Sequence, residues 1–151
     1  NYKKCLMKYI NRKLSFENVS IQNIAKKYGT PTYCYSYNKI KENITSFKKS
    51  FNSISPLICF AIKSNCNVNL IREIKKFGLG ADVVSMGELL IALKAGVNPK
   101  KIVFSGVGKT SEEIGYAIDK KILLINAESK SEIKEIQRLA KSKKKNCRRG
   151  N

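Results

Sequence analysis

The chain has 151 residues with 42% hydrophobic content, enough to bury one core, and its 30 Lys and Arg against 11 Asp and Glu give a formal charge of +19. No apolar run approaches the roughly 18 residues of a membrane helix, and the start, Asn1-Tyr2-Lys3-Lys4-Cys5-Leu6-Met7, lacks the apolar stretch of a signal peptide, so a soluble, cytoplasmic protein with no membrane partner is expected. Through residue 140 the lysines are scattered at helix-like positions, which suits solvated faces and gives no expectation of a nucleic-acid partner.

The chain contains no histidine, which excludes Ser-His-Asp and Cys-His machinery and mixed Cys/His zinc sites within it. Its five cysteines, Cys5, Cys34, Cys59, Cys66 and Cys147, form no CxxC pair, and an odd count without a secretory signal points to reduced thiols.

In chain order, Ile21, Ile24, Ala25 and Tyr28 mark an amphipathic helix closed by Gly29. Pro31-Thr32-Tyr33-Cys34-Tyr35-Ser36 is aromatic-rich and reads as a strand. Ile40, Ile44, Phe47 and Phe51 then recur at helical spacing. From residue 57 the alternation is regular: strand 57–62 and a helix to Gly78, strand 81–84 and a helix to Gly96, strand 101–105 and a helix near 112–118, strand 122–125 and a helix at about 129–141. Four β-α units with short apolar strands predict a parallel sheet with right-handed crossovers. Periodicity leaves open whether the sheet is doubly wound or part of a (β/α)8 barrel, and length alone favours the open sheet.

Pro56-Leu57-Ile58-Cys59-Phe60-Ala61-Ile62-Lys63 is an apolar run that delivers one amine to a strand's carboxyl end. Such a lysine becomes a covalent nucleophile when apolar surroundings lower its pKa, although a strand-end lysine also commonly snorkels to solvent. Ser105-Gly106-Val107-Gly108-Lys109-Thr110 lacks the first glycine of a Walker A loop, since Val103 stands there. It still offers two glycines and a lysine before a helix, suited either to an anion or to a tight turn. Gly78-Leu79-Gly80 lies between a helix and a strand, the wrong order for a dinucleotide fingerprint. Ser85-x-x-Glu88 reads as a capping box, whereas Asp82, a carboxylate within an apolar segment, requires a partner.

Tyr28-Gly29-Thr30-Pro31-Thr32-Tyr33, Phe60-Ala61-Ile62-Lys63-Ser64-Asn65, Gly80-Ala81-Asp82-Val83-Val84-Ser85-Met86-Gly87-Glu88-Leu89, Phe104-Ser105-Gly106-Val107-Gly108-Lys109-Thr110 and Asn126-Ala127-Glu128-Ser129 stand in one order. In that order, from about residue 8 to about residue 140, the chain resembles the diaminopimelate decarboxylase family of fold-type III pyridoxal phosphate enzymes. Related ornithine, arginine and carboxynorspermidine decarboxylases are the alternatives. The resemblance implies an alanine racemase-like (β/α)8 barrel joined to a β-rich domain, a homodimer, and conversion of meso-2,6-diaminopimelate to L-lysine and carbon dioxide. It implies pyridoxal 5'-phosphate as cofactor, Lys63 as the lysine that forms the Schiff base, Asp82 as a carboxylate near cofactor and lysine, and Glu88 as a residue near the site.

The expected organisation is an N-terminal segment 1–36, whose strand pairs with the β-rich domain, then an incomplete cofactor-binding barrel over 37–141, then a basic tail 142–151 outside the resemblance. Only about four barrel units are present, without the C-terminal β-rich domain. From Lys141 to Arg149 there are six positive charges and no acid. A truncated or frameshifted, inactive and poorly soluble fragment is therefore expected, with a nucleic-acid-binding tail as the alternative reading.

Overall fold

The structure, a computed structural model, describes residues 7–51 and 53–143, so residues 144–151 of the basic tail lie outside it. The chain divides into two compact units, Asn1–Ser53 and Ile54–Asn151.

The first unit opens with an antiparallel meander of β1 (Met7–Ile10), β2 (Lys13–Phe16) and β3 (Val19–Ser20). These strands are short, and their residues alternate too little to stand out from the sequence. Helices α1 (Ile21–Tyr28) and α2 (Tyr37–Lys49) follow. Glu17 accepts hydrogen bonds from the Ser36 hydroxyl and, at 3.0 Å, from Asn38 Nδ2, fixing the start of α2 to the turn before β3. The segment 31–36 was expected as a strand but pairs with no strand among the described residues, and Tyr33 is 90% exposed. Helix α2 falls in this first unit, and none of its residues is buried.

The second unit is a regular βα succession: β4 (Cys59–Ala61), α3 (Val68–Lys76), β5 (Gly80–Val83), α4 (Met86–Lys94), β6 (Ile102–Phe104), α5 (Ser111–Asp119), β7 (Leu124–Ile125) and α6 (Lys130–Ser142). Its four strands are parallel and lie in the order β4-β5-β6-β7. A doubly wound sheet reverses its strand order at a switch point, whereas a barrel winds in one direction, so this order selects the barrel.

Side chains alternate across the sheet. Ala81, Val83, Ile102, Phe104 and Ile125 are at most 1% exposed and pack with Ile71, Leu89, Ala92, Ile114, Ala117 and Ile136 of the helices. The registered row Ala61, Asp82, Val103 and Leu124 points to the opposite face and is only half-buried. That face corresponds to a barrel interior. Gly78 and Gly96, at φ +83° and +79°, close α3 and α4 in a conformation that side chains disfavour. Lys101 Nζ then donates to the Gly78 carbonyl at 3.0 Å and Lys75 Nζ to the Gly96 carbonyl at 3.1 Å, so two lysines satisfy carbonyls at the amino end of the sheet.

Candidate active site at the carboxyl end of the sheet

Strand β4 ends at Ala61, and Lys63 sits in the following 3-10 turn, Ile62–Ser64. Ile62 is fully buried and anchors that turn, while Lys63 is exposed. The sequence places Lys63 at the carboxyl end of a strand, and in the structure it lies there, two residues past the end of β4 on an exposed turn. The turn forms because Ser64 Oγ donates to the Ala61 carbonyl at 2.8 Å and Asn65 N to the Ile62 carbonyl at 2.9 Å. Among the described residues Lys63 has no ion-pair partner.

Asp82 pairs in register with Ala61, two residues before Lys63. Its Oδ1 is sealed from solvent and accepts no hydrogen bond among the described residues. A buried carboxylate oxygen without a donor is costly, so this position is suited to a cationic or N–H-bearing group arriving from outside the described residues. Beneath it, burial and then the Asp82 charge push the Cys59 thiol above its ordinary pKa. Cys59 reaches this face because Gly80 opposite it carries no side chain: a Cβ there would lie 2.9 Å from Cys59 Sγ and 2.1 Å from the Lys101 carbonyl oxygen.

Three of the four βα turns are built on glutamates at the third position of their helices. Ser85, Thr110 and Ser129 cap α4, α5 and α6 by accepting from the backbone N–H of Glu88, Glu113 and Glu132. Thr110 and Glu113 complete a capping box. Glu88 departs from the expected box, since its Oε2 accepts from Val84 N, at 3.0 Å, one residue before the cap. Glu132 does the same with Glu128 N at 2.7 Å. Glu88 is thus occupied with backbone.

Two of these acids also tie neighbouring units together. Glu113 Oε1 accepts from Met86 N of the preceding turn at 2.9 Å, and its carboxyl lies below the usual glutamate range because of the Thr110 backbone N–H first, with Met86 adding to it against burial. Lys109, with a side chain 1% exposed, donates to the Gly106 carbonyl at 2.6 Å, the Asn126 carbonyl at 2.7 Å and Glu132 Oε1 at 2.8 Å. All three ammonium hydrogens are taken. The glycine loop before α5 is therefore a closed turn whose lysine is spent internally, which favours the tight turn of the two readings its sequence left open. On the inner face, Asn126 Nδ2 donates to Ser105 Oγ at 3.0 Å.

Residues 37–148 match the family described as pyridoxal-dependent decarboxylase, pyridoxal binding domain. The chain belongs to that family. Among curated relatives, this pyridoxal-binding domain is 42% identical over 134 residues to diaminopimelate decarboxylase of Aquifex aeolicus, covering 89% of this chain and 31% of that protein. It is 44% identical over 121 residues to the Helicobacter pylori J99 enzyme of the same name, covering 80% and 30%. The solved diaminopimelate decarboxylase of M. jannaschii in complex with L-lysine superposes with a TM-score of 0.90 at 33% identity, over 95% of this chain and 35% of that one. The chain thus spans about a third of the length of these relatives.

In this pyridoxal-dependent decarboxylase domain, Lys63 and Asp82 stand out from the motifs, whereas the contacts of Cys59, Glu113 and the Ser105–Asn126 pair do not. The Thr110-x-x-Glu113 spacing was a visible signal for the cap. The bond from Met86 to Glu113 spans 27 residues and had none.

Proposed function

We propose that this chain carries the lysine-bearing part of a diaminopimelate decarboxylase acting on meso-2,6-diaminopimelate to give L-lysine and carbon dioxide. The observation that carries the reading is the juxtaposition of Lys63, an exposed amine without an ion-pair partner at the carboxyl end of β4, with Asp82, whose buried Oδ1 lacks a donor in the adjoining register. The carboxyl end of barrel strands is where βα loops assemble active sites. An amine nucleophile and an orphaned carboxylate are the residue types a pyridoxal cofactor needs, and they fit it.

Pyridoxal phosphate, when bound, supplies an electron-withdrawing ring that accepts the pair left by departing carbon dioxide. Lys63 would be the amine that holds it covalently. Asp82, in register with the last residue of β4, would offer its buried oxygen to a donor on the bound cofactor. The inner-face residues Ala61 and Val103 flank Asp82 in register.

The reading extends to assembly. Residues 31–36, without a strand partner among the described residues, are assigned as the strand that joins a β-rich domain, and a homodimer is assigned to the whole enzyme. The test is borohydride reduction with pyridoxal phosphate followed by peptide mass mapping. A pyridoxyl group is expected on Lys63, and Lys63→Ala is expected to abolish selective labelling. Selective labelling of another lysine with Lys63 unmodified rejects the assignment.

A further inference from the structure

Two residues beyond the registered row Ala61, Asp82, Val103 and Leu124, the four strands deliver Lys63, Val84, Ser105 and Asn126 to the same end of the sheet. The sheet continues far enough to fix the last two, because Ser105 N donates to the Val83 carbonyl at 2.8 Å and Asn126 N to the Phe104 carbonyl at 2.9 Å. Lys63 leaves β4 and Ser105 leaves β6, two strand spacings apart, or about 10 Å. A lysine side chain carrying one substituted ring bridges that gap.

Ser105 and Asn126 are half-buried and hold each other through the Asn126 Nδ2 to Ser105 Oγ bond of 3.0 Å. That bond uses the hydroxyl as acceptor and one amide hydrogen as donor. The hydroxyl hydrogen and the second amide hydrogen have no acceptor among the described residues, so the pair presents two donors together. Two converging donors at a strand end recognise an anionic oxygen. Lys109 sets the pair from behind, since it binds the Asn126 and Gly106 carbonyls, one on each side of the pair, and is neutralised by Glu132.

We propose that Ser105 and Asn126 bind an anionic oxygen of the pyridoxal cofactor held at Lys63, with Lys109 as the positioning residue that fixes the pair. This rests on the assignment of Lys63 made above. It gives the closed glycine loop a function: its lysine meets no ligand and holds the two residues that do.

The experiment titrates the full chain with pyridoxal 5'-phosphate, traps with borohydride, and measures pyridoxyl-Lys63 by mass mapping alongside thermal melting. S105A and N126A are each expected to need about 10-fold more aldehyde for equal labelling, with melting unchanged. K109M is expected to show a similar loss and K109R to restore part of it. Repeating the titration with pyridoxal, which lacks the phosphate, identifies the oxygen: a persistent penalty assigns the ring phenolate, and a vanished one the phosphate. Native labelling of Lys63 in both S105A and N126A overturns the proposal and leaves the Lys63 assignment intact. Absence of selective Lys63 labelling in the unsubstituted chain overturns both.

Discussion

At the scale of single residues, Asp82 is the informative group, because its charge is felt by a neighbour that reports on it. Burial first and Asp82 second raise the Cys59 pKa above its ordinary 9.0, so Cys59 stays a thiol at neutral pH while Cys34 and Cys66 are exposed. Iodoacetamide at pH 8 is expected to modify Cys34 and Cys66 well before Cys59, since the thiolate is the reacting form. Asp82→Asn removes the second cause and is expected to accelerate Cys59 alkylation several-fold, read by peptide mass spectrometry. An unchanged Cys59 rate in that variant excludes an ionised Asp82 as its neighbour. Gly80 makes this contact available. Gly80→Ala drives a methyl against the Lys101 carbonyl, which cannot retreat without moving β6, and a loss of about 3 kcal/mol in denaturant unfolding is expected.

At the scale of elements, three of the four βα turns are built from one repeated device, a Ser or Thr cap with a Glu three residues on, and the third unit extends it to its neighbour through Met86. A carboxyl with a depressed pKa stabilises the fold above the unfolded-state value and loses that contribution as pH falls through the lower folded value. For Glu113 the ordinary value is 4.5, so its contribution fades below that point. Glu113→Gln is expected to lower stability at pH 7 and to flatten the acid limb of a stability-against-pH profile, with faster amide exchange at Met86. An unaltered acid limb locates the titration elsewhere. The elements themselves were legible: Ile71 and Ile74 in phase, closed by Gly78, specify α3, and Thr110 to Glu113 specifies the start of α5. β1 to β3 were not, being two to four residues long and mostly exposed. The Lys63 and Asp82 positions followed from motif order, but no local rule shows that Lys109 turns inward, because its three acceptors come from the glycine loop, the end of β7 and α6.

At the scale of the molecule, strand order decides the architecture, and it also exposes a liability. Within the second unit β4 pairs only with β5, and β7 only with β6, among the described residues. Each outer strand therefore presents unpaired backbone N–H and C=O groups, and the inner face beside them carries Ala61, Val103 and Leu124 half-buried. A net charge of +19 opposes association at low salt, but screening shortens its reach to about 10 Å at 0.1 M salt, and edge pairing acts at contact. The 151-residue chain, produced as such, is expected to remain dispersed at low ionic strength and to self-associate as salt is raised, read by sedimentation velocity. Leu124→Lys places a charge on the inner face of the outer strand β7 and is expected to shift that association to higher salt, whereas the same change at exposed Ile133 on α6 is expected to leave it in place. Equal shifts from both substitutions assign the association to net charge alone and reject the strand edges as its cause.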